Sequence, residues 1–310
     1  MFKNVFKLLI SNFASFWKIL TYKLIVVVIV GGLFCLTLSQ LNSLSSLENL
    51  TNQVLALFDH NLAHVFNPTN NSLYWVLVAL GDVVLELIQT APFVFSYLVF
   101  LLFVLLPYLW HLSDFAVSEE LYGFISSQSK TGFTRSLIRH LGTSSKYSIM
   151  LTIILFFLNI IVGCVIVGLI LLSNTSAVVH IAIAFLILLV TTLYLSLRMT
   201  TLSSWASAIT TTGCGVLQGL KKSLKSCKLR FFSYWSNAIF IVLLAVVLVM
   251  ITNLWGLIVI SPLYCLLISI YGIIQYFESN GLRYYVDFDT IISPKKFEQT
   301  DKLKKLKNII

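Results

Sequence analysis

His60 and His64 stand four residues apart, with Asp59 beside them. On a helix that spacing sets both imidazoles on one face, where they could hold a zinc ion with Asp82 or Glu86 completing the shell. No His-Glu-x-x-His pattern accompanies them, so the pair carries no hydrolytic motif. Two histidines on a short interfacial helix explain the same spacing more plainly. Asp82 and Glu86 repeat the four-residue step among Val78, Leu80, Val83, Val84, Leu85 and Leu87. Acids in so apolar a setting mark either an ion or substrate path or the polar face of an external helix, and the second is favoured. A third candidate is cationic. Lys221, Lys222, Lys225, Lys228 and Arg230 form a cluster suited to anionic lipid headgroups or to a docking protein.

Other chemistry is poorly represented. There is no Gly-rich phosphate loop, nucleophile elbow or zinc signature, and no cofactor is expected. His111 has no evident nucleophile to activate. Cys35, Cys164 and Cys265 lie in apolar runs, while Cys214 and Cys227 lie in a basic segment. None pairs at metal spacing or across an external loop. Catalysis is therefore the least supported class of function.

The elements that must position these residues are membrane spans. The 310 residues are 58% apolar and 11% charged, with mean hydropathy +0.93. Soluble domains carry about a quarter charged residues, so the chain reads as a polytopic membrane protein. Its net charge of +9 has a simple cause in that setting: cations are retained beside anionic inner-leaflet lipids. A nucleic-acid partner is not expected.

All 21 Lys and Arg residues fall between Lys3 and Lys23, Lys130 and Lys146, Arg198 and Arg230, or Arg283 and Lys307. Between these clusters lie runs long enough to cross about 30 Å of hydrocarbon. Six spans are predicted, at about 16–38, 92–112, 148–172, 177–197, 236–253 and 257–276. The fold class is thus all-α, a six-span bundle occupying residues 1–278 as one membrane domain, followed by a cytoplasmic tail over 279–310. The stretch from Leu73 to Leu112 could hold two spans, but two crossings would place Lys130, Arg135, Arg139 and Lys146 outside. Residues 40–89 are therefore read as an external segment, with 72–89 an interfacial or re-entrant helix. Both termini are expected in the cytoplasm, and the start shows no signal-peptide cleavage pattern.

A basic helix precedes each pair of spans. In the first, Phe2, Phe6, Leu9, Phe13, Phe16 and Leu20 recur at helical steps, predicting a helix lying in the interface with Lys18 and Lys23 snorkelling to the inner surface. The second and third are predicted over about 132–146 and 216–234. Gly132, Leu137 and Leu141 align at constant offset with Gly215, Leu220 and Leu224, which would suit an internal repeat; any cytoplasmic entry to a span favours the same kind of helix. Asp287 and Asp289 alternate around Phe288, predicting an extended segment. Lys302, Lys304, Lys305 and Lys307, interleaved with Leu303 and Leu306, suit a lipid-facing tail helix. Spans three to six hold no charge within them. Asn159 and His180 there are read as bonds between helices.

The run Gly215-Val-Leu-Gln-Gly-Leu-Lys-Lys-Ser-Leu-Lys-Ser-Cys-Lys-Leu-Arg-Phe-Phe-Ser-Tyr-Trp-Ser236 resembles the basic connector of bacterial six-span membrane families. Among these is the membrane domain that precedes some glycerophosphodiester phosphodiesterases. The Phe- and Lys-rich entry at the N-terminus looks like the same group. The resemblance implies a bacterial plasma-membrane protein and transfers no catalytic residue. Together these readings lead to a component of transport or envelope-lipid handling in contact with anionic inner-leaflet lipids. The alternative is a non-transporting scaffold or regulator that docks a membrane or cytoplasmic protein.

Overall fold

The computed structural model describes residues 1–39, 45–59, 72–127, 129, 131–172, 177–228, 230–252, 256–287 and 290–294. Its helices are α1 (Phe2–Ser11), α2 (Ala14–Ser39), α3 (Ser45–Asp59), α4 (Ser72–Thr90), α5 (Pro92–Ser127), α6 (Phe133–Arg139), α7 (Leu141–Leu172), α8 (Ala177–Leu202), α9 (Ser204–Thr212), α10 (Val216–Lys228), α11 (Phe231–Thr252) and α12 (Leu257–Asn280). Strands β1 (Tyr284–Tyr285) and β2 (Ile291–Ile292) pair antiparallel after them.

Six segments are long and apolar enough to cross a membrane: α2, α5, α7, α8 continuing into α9, α11 and α12. The chain is an all-α polytopic membrane bundle, and each predicted span falls on one of these helices. Helix α4 is not among them. It stops at Ala91, whose backbone leaves the helical region, and Pro92 restarts the chain at the first turn of α5, where a missing N–H costs nothing. Val83 and Leu87 of α4 and Leu98 of α5 pack with Phe34, Leu38, Leu47 and Leu50, gathering α2, α3, α4 and α5 at one end of the bundle.

Several helices run past their predicted ends. Span two was expected to stop at Leu112, yet α5 continues to Ser127 with Phe115, Ala116, Val117, Leu121, Phe124 and Ile125 all buried. Burial on every side hides the apolar stripe that an exposed helix would display. The entry helix expected over 132–146 ends at Arg139, and α7 begins at Leu141, ahead of its apolar run. The one expected over 216–234 ends at Lys228, and α11 starts afresh at Phe231.

The last helix is the centre of the bundle. More than half of its most apolar window is buried, 56%, against 28% or less in the other five spans. The tight packing is concentrated at the end where the basic clusters lie. There α8 breaks at Ser203 before α9 begins, which leaves carbonyls without their helical donors. Gln275 of α12 supplies one donor to Thr200 O at 2.9 Å. Ser223 of α10 supplies another to Thr201 O at 3.2 Å. Trp205 Nε1 donates to Val216 O at 2.8 Å, and its ring meets Tyr147 edge-on at 5.0 Å. Burial pushes the Cys227 thiol of α10 up to about 11, despite a hydrogen bond with Gln275 that works the other way.

Helix α1 is not free to lie on lipid. Val5 and Leu8 are fully buried in the main core, and Asn4 Nδ2 donates to Tyr284 Oη at 2.8 Å. Tyr284 in turn donates to Glu278 at 2.9 Å, and Ser11 Oγ to Val286 O at 3.3 Å. Burial, then the nearby Glu278 carboxylate, push the Tyr284 phenol upward. The β1–β2 hairpin, closed by Thr290 N donating to Asp287 at 2.7 Å, thus holds the N-terminal helix. Both ends of the described chain meet on one side. Asp287 lies in the bend between the two strands rather than in an extended run, while Phe288, Asp289 and the lysines from Lys302 to Lys307 lie outside the described residues.

Gly272 is where α12 approaches the α8–α9 corner. A methyl group there would stand 2.1 Å from Ser203 O, a backbone atom that cannot move aside without shifting a helix. Gly272→Ala is therefore expected to cost about 1–3 kcal/mol, whereas Gly163→Ala, with open space around it, should be neutral or slightly stabilising. Unfolding midpoints of the two purified variants in detergent check this.

Candidate functional site

The charges that sequence reading assigned to the membrane boundary converge inside the bundle. Lys23 comes from α2, His111 and Asp114 from α5, Arg198 from α8 and Cys265 from α12. His111 and Asp114 are one helical turn apart, which brings Nδ1 and Oδ2 to 2.7 Å. On the other ring nitrogen, Arg198 Nη2 stands 3.4 Å from Nε2. A guanidinium can only donate, so Nε2 accepts and Nδ1 carries the proton that Asp114 receives. The second Asp114 oxygen accepts from Cys265 Sγ at 3.1 Å. Both carboxylate oxygens are thereby engaged by neutral donors.

Lys23 completes the group in an unusual way. Its side chain was expected to snorkel; instead the residue is only 2% exposed, with Nζ 3.9 Å from the centre of the Trp110 ring. A cation over an indole face is stabilised by about 2 kcal/mol when desolvated. No hydrogen-bond partner for Nζ occurs among the described residues. The snorkel fails because α2 packs against α5 at this level: Tyr22 Oη donates to Leu109 O at 2.8 Å, and Lys18 pairs with Glu120 at 2.7 Å. The polar group therefore holds two cations against one carboxylate and one neutral imidazole.

These residues line a cavity of about 500 Å³, a size that suits a small-molecule ligand. Trp110, His111, Asp114, Lys23 and Arg198 form its polar end. Most of the remainder is apolar, with Leu195 of α8, Val242, Val246 and Val249 of α11, and Ile260 and Ile268 of α12, interrupted by hydroxyls such as Thr191, Ser261 and Ser269. Trp110, His111 and Arg198 also line a second groove, of about 730 Å³, between α5 and α7. A π-helical turn at Leu101–Leu105 precedes them in α5, and such turns re-aim the side chains that follow. The Tyr194 hydroxyl donates to Asn159 beside this groove, the bond between helices expected of Asn159.

The residues singled out from sequence sit elsewhere. Glu86 accepts hydrogen bonds from both the backbone N–H and the hydroxyl of Ser46, at the start of α3. It thus ties α4 to α3 by satisfying an end of helix that has no internal partner. Asp82 is exposed. Lys221, Lys222, Lys225, Lys228 and Arg230 are exposed along and just after α10, while Gly219, Ser223, Ser226 and Cys227 face the bundle. His60 and His64 lie outside the described residues. Among the described residues, no group of three metal-binding side chains gathers.

No protein-family model, curated protein or solved structure matches the chain. Function is therefore read from its own geometry. Sequence reading missed this cluster because Lys23, Asp114 and Arg198 each stand at the end of an apolar run, where charges normally meet water. The usable signal was the His111–Asp114 step of three, directly after Trp110 at the close of a span.

Asp114→Asn removes the carboxylate whose charge opposes the buried Lys23 ammonium, and the loss is expected to be about 3 kcal/mol, the low end for a buried pair broken on one side. The expected outcome is a large fall in unfolding midpoint that is partly reversed in the Asp114→Asn, Lys23→Met double variant. A double variant no better than the single would show that Lys23 and Asp114 are not coupled.

Proposed function

We propose that this is a bacterial plasma-membrane protein, with both termini in the cytoplasm, that takes up an amphiphile in the bundle cavity as part of transport or envelope-lipid handling. The carrying observation is the polar cluster of Lys23, His111, Asp114 and Arg198 at the lining of a mainly apolar cavity within the helix bundle. Ionisable groups in a membrane bundle are expensive and are kept where they meet a substrate or ion. The orientation rests on the basic clusters, which share the end of the bundle where α1 and the hairpin meet. Exposed Lys221, Lys222, Lys225 and Lys228 on α10 would then face anionic inner-leaflet lipids, each attracted by about 1 kcal/mol.

That same row of lysines supports a second reading, a scaffold or regulator docking an acidic cytoplasmic protein. It leaves the cavity without a role.

Sidedness is tested in a cysteine-free background. Cysteine placed at Lys222 should react with an impermeant maleimide only after the inner face is opened, and cysteine at Thr51 on α3 should react in intact cells. Ala245 lines the cavity on α11, and Ala245→Trp should occupy it. Reconstituted wild-type protein is expected to move or hold bilayer amphiphiles, and Ala245→Trp to reduce this at least about tenfold, a loss of 1.4 kcal/mol. Equal behaviour of the two proteins would favour the scaffold.

A further inference from the structure

The ammonium of Lys23 is buried and meets no nitrogen or oxygen acceptor among the described residues, with only the Cys265 thiol and the Trp110 ring close by. Asp114 is filled on both oxygens by His111 and Cys265, and no carboxylate among the described residues lies within 4.0 Å of Lys23 Nζ. The Trp110 ring attracts the cation but accepts no conventional hydrogen bond from it. A buried ammonium left in this state calls for an acceptor. It borders the same cavity as Arg198, whose planar fork suits the oxygens of a phosphate.

We infer that Lys23 and Arg198 hold the phosphate-ester head of a singly anionic membrane lipid, a proposal that rests on the cavity being the ligand site. Charge selects the head. Two cations against Asp114 leave one positive charge for the ligand to neutralise, so a head of net charge −1 fits better than a zwitterionic one. Shape selects an amphiphile. Beyond the polar cluster the walls are mainly apolar, with Leu195, Val242, Val246, Val249, Ile260 and Ile268 among them; an acyl chain covers these and a hydrated free phosphate does not. Oxygen accepting from Lys23 supplies the hydrogen bonds that the protein withholds, and charge-assisted bonds of this kind are the strong ones.

The test is a lipid titration of the full chain in maltoside detergent, read by native mass spectrometry with phosphatidylglycerol, phosphatidylcholine and inorganic phosphate as probes. Wild-type protein should hold one phosphatidylglycerol about tenfold or more tightly than phosphatidylcholine. Lys23→Met and Lys23→Gln should bring the two lipids to parity, while Lys23→Arg keeps the preference. The phosphatidylglycerol-dependent rise in unfolding midpoint should vanish in the same two variants, which separates lost binding from lost folding. An undiminished preference in both Lys23 variants overturns the headgroup assignment; if Ala245→Trp still expels lipid, the cavity reading survives it. If Ala245→Trp leaves lipid binding unchanged, both fail. Inorganic phosphate that displaces phosphatidylglycerol at equal concentration would make the ligand a free anion and overturn the amphiphile.

Discussion

Holding the half-buried Asp114 carboxylate at a cavity inside an apolar helix bundle is the demand around which this molecule is organised. A lone carboxylate in such a bundle is costly, and the chain meets the cost with donors drawn from its own helix and from α12 and with the Lys23 ammonium of α2, while Arg198 of α8 acts on it through His111. Four of the six membrane-capable segments thus converge on one side chain. The geometry leaves little freedom: His111 is fixed one turn away on α5, its tautomer is set by Arg198, and its remaining proton goes to Asp114. What the arrangement does not satisfy is Lys23, and that residual is the feature most readily tied to a ligand.

The demand also explains why the two ends of the bundle differ. In lipid, apolar side chains gain little by leaving the acyl chains for each other, so packing there rests on shape and on polar contacts. Long faces of α7 and α11 accordingly stay uncovered, with Phe157 and Ile251 among their exposed residues. At the basic end, α5, α9, α10, α12 and the terminal hairpin meet through buried serines, Trp205, Gln275 and the Gly272 contact. Backbone groups freed by the break at Ser203 are taken up there by side chains rather than by water. A rigid base of this kind is what holds the charged residues of a cavity in register.

Much of the architecture was legible in the order of residues. Apolar run length and the spacing of the basic clusters pointed to six membrane-capable helices, and the structure divides the long apolar stretch into α4 and α5 at Pro92. The inner extension of α5 was not legible, since a helix buried all round shows no polar face to mark its period. Helix α1 showed its apolar stripe, but the elements that cover it, α12 and the hairpin bonded to Asn4 and Ser11, lie at the other end of the sequence. The site was hidden for a related reason. Lys23 and Arg198 carry the signature of boundary residues, and only the packing of α2 against α5 and the reach of Arg198 to His111 turn them inward. Glu86 shows the converse, an acid in an apolar run that serves as the anchor of α3.

Lys23 is buried beside Trp110 at the lining of the cavity, and the ligand reading requires its ammonium to meet a headgroup there. The most direct measurement is a cryo-electron microscopy map of the protein in nanodiscs containing phosphatidylglycerol. The expected result is headgroup density within about 3 Å of Lys23 Nζ, continuous with chain density along Val246 and Ile260. A map with the Lys23 ammonium extended into water at the inner surface, and the cavity closed by repacked side chains, would contradict it.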